Sequence, residues 1–585
     1  MLERLFSHER SDRLDRGDKR LMWFITIAYT VLTLMNLGTL SFPENTWNGK
    51  PGTTAVLDLG DEHEISSIWF NGNIAVGEML ITADDGQTFT YSQVYGEMFS
   101  WRAKTVGFRT RFLHLQPMSG EIVLNEIALL DPAGQVIAAT SIDGGAGLVD
   151  EQDTVPRRPS YYNGMYFDEI YHARTAYEFL HTMSVYEWTH PPLGKELIAL
   201  GIAVFGMSPF GWRVIPALFG AAMLPVIFIL GKRLFRRRDY AFLACALFSL
   251  DTMHFAQTRI ATVDVFVVFF ILLMYLFMTD YLQKDIAGQP LRKALIPLGA
   301  CGVSFGLGTA AKWTGLYAGA GLAVLFFTHL IHSIAGKDSA EERHKACSRA
   351  WKTVFFCCVF FLLIPAAIYF VSYVPFYRYE ISLSPGIPMD FRRMTEILFS
   401  QQKSMYGYHS TLTATHSSQS AWYEWPFSAM SVWFYFSSGD KFVSNISTFG
   451  NPAVWWVSAV GTLCAVTETV FGQVKNDLLF RKRAITILLT AIAANYLPWT
   501  LVTRCTFQYH YFPTLPFVIL CGVLILQHLE ERGEVSPDVK WGWLVLAALF
   551  FLMLFPACSG IPMPRMYARF LEYVVPAGNL FHGAI

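Results

Sequence analysis

The chain has 585 residues and is 53% hydrophobic and 15% aromatic but only 16% charged. That is too little charge to cover a soluble protein of this length, so composition points to a multi-pass membrane protein. With 45 Lys and Arg against 46 Asp and Glu, the net charge of −1 lacks the basic excess that nucleic-acid binding calls for.

A span needs about 20 mostly apolar residues. The first is 21–40, behind a charged stretch holding Arg4, Arg10, Arg13, Arg16, Lys19 and Arg20. Its length and the missing small-residue cleavage site predict a retained anchor. Ten more follow at 212–234, 240–257, 261–282, 294–311, 314–333, 353–375, 452–472, 484–503, 511–528 and 542–558, which makes about eleven transmembrane helices. The connections 232–239, 283–293, 335–352, 473–483 and 529–540 carry 5, 3, 5, 4 and 2 Lys or Arg. All fall on the side of the basic N-terminus, so that side is expected to be cytoplasmic and the C-terminus and two long segments extracytoplasmic. The expected divisions are 1–40, 41–150, 151–211, 212–375, 376–451 and 452–585. Of nine cysteines, all but Cys347 lie in or beside apolar stretches and none lies between 41 and 200, so no disulfide framework or metal-ligand spacing is expected.

Residues 41–150 alternate as short β-rich runs at 55–59, 65–70, 78–83, 89–94, 109–115 and 121–130. The turns between them include Asp84-Asp85-Gly86 and Asp131-Pro132-Ala133-Gly134. This pattern predicts an antiparallel β-sandwich. The stretches "VLDLG", "ITADDGQTFTYSQV", "RTRFLHLQ" and "EIVLNEIALLD", with Trp101, resemble discoidin-type (factor 5/8 C-type) domains. That resemblance implies glycan or surface binding by its loops, against the plainer role of a spacer. The Gly-, Asp-, Arg- and Pro-rich run 143–160 reads as a linker.

From Phe167 the period turns helical, through Ile170, Ala173, Tyr177 and Leu180, with Asp168 and Glu169 in the first turn. Acids there often only complement the helix dipole. Adjacent carboxylates at a bilayer surface are also costly to keep dry and readily used as a base. Pro191-Pro192 breaks the chain, and 193–205, too short to span, reads as a surface helix bringing His190 and Lys195 near the carboxylates. Arg213, Arg259, Lys312 and Arg504 stand at span ends on the same side. Each alone reads as an interfacial anchor, whereas four together point to an anionic headgroup. In 376–451, His409 and His416 are seven apart, which could place both on one helix face. Two histidines make a weak metal site, so hydrogen bonding is the expected role. Trp422 and Trp425 suit the membrane interface or a sugar face.

The pieces "FDEIYHARTAYEFL", "THPPLGKELIALG", "GWRVIPALFG", "LDTMHFAQTRIATVDVFVVFF", "AAKWTGLYAG", "QKSMYGYHSTLTATH", "WYEWPF", "GNPAVWW" and "FQYHYFPTLPF" resemble, in order, the protein O-mannosyltransferase family. The resemblance covers most of 160–525 and implies a multi-pass α-helical C-type glycosyltransferase fold, here with the inserted sandwich. Three departures stand out. No β-trefoil interrupts 376–451, which favours a bacterial-type enzyme; the sandwich insert is unusual; and "THSSQSAWYEW" differs from the commoner His-Pro-Tyr-Ser form. The implied reaction moves mannose from a polyprenyl-phosphate carrier to Ser or Thr hydroxyls of exported proteins, with inversion and with no cofactor or metal. Asp168 is then the expected base, and Glu169 orients the acceptor or a nearby cation. Arg213, Arg259, Lys312 and Arg504 hold the phosphate, while His190, Lys195, His409 and His510 shape the site. The alternatives are an aminoarabinose-transferase-like enzyme with a lipid or glycan acceptor, and a transporter or sugar receptor. Against a transporter, there is no internal repeat, and the charges gather at one face.

Overall fold

A computed structural model describes residues 11–285, 289–470, 479–575, 578 and 580–581. Arg4, Arg10, part of the connection 283–293, most of the connection 473–483 and the end of the C-terminal tail lie outside the described residues. The chain divides into two compact units. One comprises Met1–Met35, Glu178–Ile198 and Ile215–Ile585, and the other Asn36–Tyr177 and Ala199–Val214.

The first unit is the helical one. Helix α1 (Arg16–Leu34) starts at a capping box, with Asp15 accepting from the Asp18 amide. Asp18 is buried and pairs with Arg238 at 2.8 Å and Lys232 at 3.3 Å, fixing the basic end of this helix. Trp23, Phe24, Ile27 and Val31 stay exposed, as suits a helix with one face toward lipid. The helices that follow in chain order are α2 (Glu169–Leu180), α3 (Leu193–Phe205), α4 (Pro209–Phe235), α5 (Arg238–Ser249), α6 (Thr252–Thr258), α7 (Asp264–Lys284), α8 (Leu291–Ala311) and α9 (Thr314–Ala335), of which most of α2, the second half of α3 and the start of α4 belong to the other unit. Next come α10 (Ala340–Cys358), α11 (Ile364–Val371), α12 (Val374–Leu383), α13 (Phe391–Thr411), α14 (Pro452–Val470), α15 (Leu479–Tyr496), α16 (Leu515–Glu531), α17 (Val539–Ser559) and α18 (Arg565–Val574).

Among the described residues, eight helices are long and apolar enough to cross a membrane: Pro209–Phe235, Asp264–Lys284, Leu291–Ala311, Thr314–Ala335, Ala340–Val371, Pro452–Val470, Lys482–Leu501 and Val539–Ser559. The other three expected spans are shorter or less apolar. The span 21–40 corresponds to the 19-residue α1, and 511–528 to the 17-residue α16. The span 240–257 is broken into α5 and α6 at Asp251. Its side chain caps α6 by accepting from the His254 amide at 2.9 Å and also takes the Trp455 indole N–H at 2.6 Å. The connection 335–352, expected as a loop, is instead helical from Ala340, capped by Ser339. It continues through a π turn at Val359–Leu363, just before Pro365.

The second unit carries β1 (Trp47–Gly49), β2 (Ala55–Gly72), β3 (Gly77–Ala83), β4 (Thr88–Gln93), β5 (Trp101–Gly120), β6 (Ile122–Leu130), β7 (Val136–Ile137) and β8 (Thr140–Asp143). They form one antiparallel sheet in the order β1-β6-β2-β5-β3-β4, with β7 on β6 and β8 on β2. The runs 55–59 and 65–70, expected as two strands, are one 18-residue strand whose register against β5 shifts between Asp58 and His63. Such an irregularity bends a strand without ending it. Trp47, Leu57, Ile68, Ile81, Leu115 and Leu129 belong to the connected apolar core.

A second small sheet was not anticipated. Strand β9 (Val432–Ser438) pairs with β10 (Phe442–Thr448), which pairs with β11 (Met563–Pro564). Its sequence signal is Gly439-Asp440 between two β-rich runs.

Candidate active site

The Asp-Glu pair stands at the start of α2 in the second unit. Phe167 precedes it with φ +49°, a left-handed backbone that a bulky residue rarely adopts and that marks functional turns. Asp168 is partly exposed, and its carbonyl accepts from the amides of Tyr171 and His172, both at 3.0 Å, opening the helix. Glu169, one residue on, is fully buried. Its carboxylate takes Arg213 Nε and Nη2 at 2.7 Å each, Trp212 Nε1 at 3.1 Å and the Tyr166 amide at 3.2 Å. Arg213 completes its set on three backbone carbonyls, Leu37 at 2.9 Å, Tyr161 at 2.7 Å and Gly164 at 2.8 Å.

A guanidinium has five N–H donors, and all five of Arg213 are used. This corrects the expectation that Arg213 holds a substrate phosphate. It is buried and has no donor to offer, so its role is to lock Glu169 and the turn before α2. Of the two roles expected for Glu169, the geometry carries the pairing with a cation.

In the first unit, four expected residues come together around a cavity of about 320 Å³: His190, Lys312, His409 and Arg504. Trp313, Tyr317 and Trp499 supply aromatic walls. Lys312 is the residue after α8, and its ammonium donates to Asp264 Oδ1 at 2.8 Å. Asp264 is the first residue of α7. Arg504 is partly exposed and makes a long 3.5 Å contact to the Cys505 carbonyl. His409, near the end of α13, holds the Thr189 carbonyl through Nε2 at 2.8 Å, while Nδ1 lies buried without a partner among the described residues. Burial, His190 and the nearby cations push the His409 imidazole down to about 4, so it is neutral at pH 7. His416 falls beyond the end of α13, so the two histidines do not share a helix face. Trp425 is fully buried, which removes it from the interfacial role.

Behind His190 lies a buried ion pair that the sequence reading missed. Lys195 is fully buried and donates to both the Glu187 carboxylate and the Glu187 carbonyl, the latter at 2.7 Å, and to the His190 carbonyl at 2.9 Å. That uses the three donors of an ammonium. Lys195 therefore holds the turn before the prolines and does not reach substrate, contrary to its expected role. Glu187 also accepts from the Thr189 amide at 2.9 Å and lies 3.1 Å from His190 Nδ1. Burial pulls the His190 pKa down, and Lys312 and Lys195 add to this, while the Glu187 carboxylate opposes it. The spacing Glu187, His190, Lys195 around two prolines was the available signal.

Two more expectations are revised. His510 is outside the cavity lining. It is buried against Trp499, with ring centroids 4.4 Å apart, and accepts from the Phe507 amide at 2.9 Å, one layer back. Arg259 is also outside that lining. Its Nη1 donates at 2.7 Å to the carbonyls of Thr33 and Met35, closing the C-terminal end of α1, where cations are favoured.

Two family models match the chain. Dolichyl-phosphate-mannose-protein mannosyltransferase matches residues 203–377, and the C-terminal four-span region of protein-O-mannosyltransferase matches 394–572. Together they take in more than half of the residues. The chain is 25% identical over 451 residues to a polyprenol-phosphate-mannose–protein mannosyltransferase of Mycolicibacterium smegmatis, covering 68% of this chain and 85% of that one. A Corynebacterium glutamicum protein of the same description is 27% identical over 424 residues, with 64% and 78% covered. In fold, the chain matches the Saccharomyces cerevisiae protein O-mannosyltransferase Pmt1-Pmt2 complex bound to the sugar donor. The TM-score is 0.58 at 14% identity, over 72% of this chain and 90% of that one. Motif order, helical architecture and these matches agree, and the chain belongs to the protein O-mannosyltransferase family.

Proposed function

We propose that the protein is an inverting membrane glycosyltransferase that moves mannose from a polyprenyl-phosphate carrier to Ser or Thr hydroxyls of exported proteins. The observation that carries this reading is the cavity in which Lys312 and Arg504 stand beside aromatic walls. Two cations suit a phosphate, and aromatic faces suit a sugar or the first carrier isoprene. The leaving group is ionised before reaction, so it needs charge stabilisation rather than a general acid. In the transfer, the acceptor oxygen attacks the anomeric carbon, the bond from that carbon to the phosphate oxygen breaks, and the hydroxyl proton passes to Asp168. A single displacement inverts the centre. Asp168 suits the base because an ordinary aspartate is ionised at pH 7 and this one is partly exposed, whereas Glu169 is committed to Arg213. His190 and His409 act as neutral hydrogen-bonding groups on the cavity wall.

The basic connections support a cytoplasmic N-terminus, with the chemistry outside. The sandwich is then an extracytoplasmic module, suited to glycan or acceptor binding. The test supplies purified protein with radiolabelled polyprenyl-phosphate-mannose, a Ser/Thr-rich peptide and bilayer lipid. Label is expected in the peptide and lost with Asp168→Asn. Label entering lipid instead would favour the aminoarabinose-transferase-like alternative, and full transfer by the variant would remove Asp168 from the mechanism.

A further inference from the structure

A larger cavity, of about 600 Å³, lies at the other kind of helix end, where the basic connections gather. It is lined by the C-terminal turns of α4, α7 and α9 and the N-terminal turn of α15. Leu234, Leu282, Leu325 and Ile487 make an apolar wall. Among the described lining residues, four Arg and Lys side chains, Arg233, Arg236, Lys482 and Arg483, stand around that wall, with no Asp or Glu. Cations at helix C-terminal ends are ordinary dipole partners. That accounts for Arg233 and Arg236 at the end of α4, but not for Lys482 and Arg483 near the start of α15, nor for an apolar hollow behind them.

The cations are held in place by backbone and by carboxylates outside the cavity lining. Arg233 donates through Nη1 to the Asp12 carbonyl at 2.7 Å and pairs through Nε with Asp280 at 2.9 Å. Arg483 donates to the Leu282 carbonyl at 3.3 Å. Each guanidinium has five donors, so both retain hydrogen-bonding capacity for an anion. Arg236 sits at φ +57°, a left-handed backbone in a residue that is not glycine. Such conformations persist where the surroundings enforce them, and they recur at ligand clamps.

We propose that this cavity binds the phosphate headgroup of an anionic phospholipid, with the start of its acyl chains against the leucine wall. The charge pattern selects the head, and the apolar wall distinguishes a lipid from a free anion. Its volume falls in the range of small-molecule sites. Basic pockets between membrane helices are suited to acidic headgroups for the same reason.

The test uses the full chain in detergent and native mass spectrometry. Phosphatidylglycerol and phosphatidylcholine with the same acyl chains compete for retention, followed by R236A/K482A/R483A. The wild-type protein should retain phosphatidylglycerol about tenfold over phosphatidylcholine, and the triple variant should lose that preference. Leu325→Trp, which fills the wall and keeps every charge, should lower retention of the lipid. If the triple variant does not fold, the exposed Lys482→Gln is read in its place and should show a smaller loss of preference. Equal retention of the two lipids, or an unchanged preference in the folded variant, overturns the proposal. Equal occupancy by inorganic phosphate overturns the lipid assignment, and displacement by equimolar polyprenyl phosphate transfers the site to the carrier.

Discussion

Glu169 and Arg213 form a bidentate pair with both contacts at 2.7 Å and neither side chain exposed. One residue earlier, Asp168 is partly exposed. The Asp-Glu motif thus divides its labour: the second acid secures the turn that presents the first.

Removing either partner of the buried pair leaves an uncompensated charge. Glu169→Gln and Arg213→Ala should each destabilise the protein by about 3–5 kcal/mol. Thermal unfolding in detergent measures this. Asp168→Asn should lower transfer by about 10²–10⁴-fold, the usual contribution of a general base.

Lys312 and Arg504 face the same cavity with different commitments. Replacing Arg504 by Gln should weaken donor use about 10- to 150-fold, the equivalent of one lost charge-assisted hydrogen bond of about 1.5–3 kcal/mol. Lys312→Gln should cost activity too, and it should also cost stability by leaving Asp264 without its ammonium. Steady-state kinetics and melting of the same preparations separate the two effects. An Arg504→Gln protein with unchanged kinetics would argue against its contact with phosphate.

The Glu187–Lys195 pair should behave as a unit. Lys195→Met and Glu187→Gln are each expected to be destabilising by about 3 kcal/mol or more, and the double variant should recover part of that loss. Additive effects in a double-mutant cycle would show that the two side chains do not cooperate. Transfer should fall with Glu187→Gln, because His190 loses the carboxylate beside its Nδ1.

In the unit that carries the eight-stranded sheet, Glu126 has carboxylate oxygens within 4.8 Å of those of Asp150 and Glu151. Burial, reinforced by these two acids, pushes its pKa from an ordinary 4.5 up to about 8. Between those values the native state binds more protons than the unfolded chain. Its stabilising contribution is therefore full below about pH 4.5 and is lost as pH rises through 8, with a slope of at most about 1.4 kcal/mol per pH unit. Melting of the β-sheet infrared band between pH 5.5 and 8.5 should move downward in the wild type and much less in Glu126→Gln. A wild-type midpoint that climbs with pH would contradict the assignment.

Much of this was legible in the chain itself. The apolar runs located the long helices because a bilayer demands about 20 such residues whatever they pack against. The "HPPLGK" and "FDEIYH" words fall beside the buried pairs Glu187–Lys195 and Glu169–Arg213, since both depend on local backbone form. The break at Asp251 was hidden, because an apolar window does not register one capping aspartate within it. The strand pair at 432–448 was hidden for a related reason: in β9 the run Trp433-Phe434-Tyr435-Phe436 puts aromatic residues on both faces and masks the alternation.

Residue type and order determined that this protein lives in a membrane, that its carboxylate pair opens a helix, and that lysine, arginine and histidine were available for an anion. Only the tertiary structure decided which of them were free to serve. Arg213 and Lys195 look in sequence like Lys312 and Arg504, yet their donors are taken by a carboxylate and by backbone carbonyls, for Arg213 from distant residues such as Leu37 and for Lys195 from the folded-back turn at Glu187 and His190. Hydrogen-bond saturation is a property of three-dimensional neighbours, and no spacing of letters encodes it.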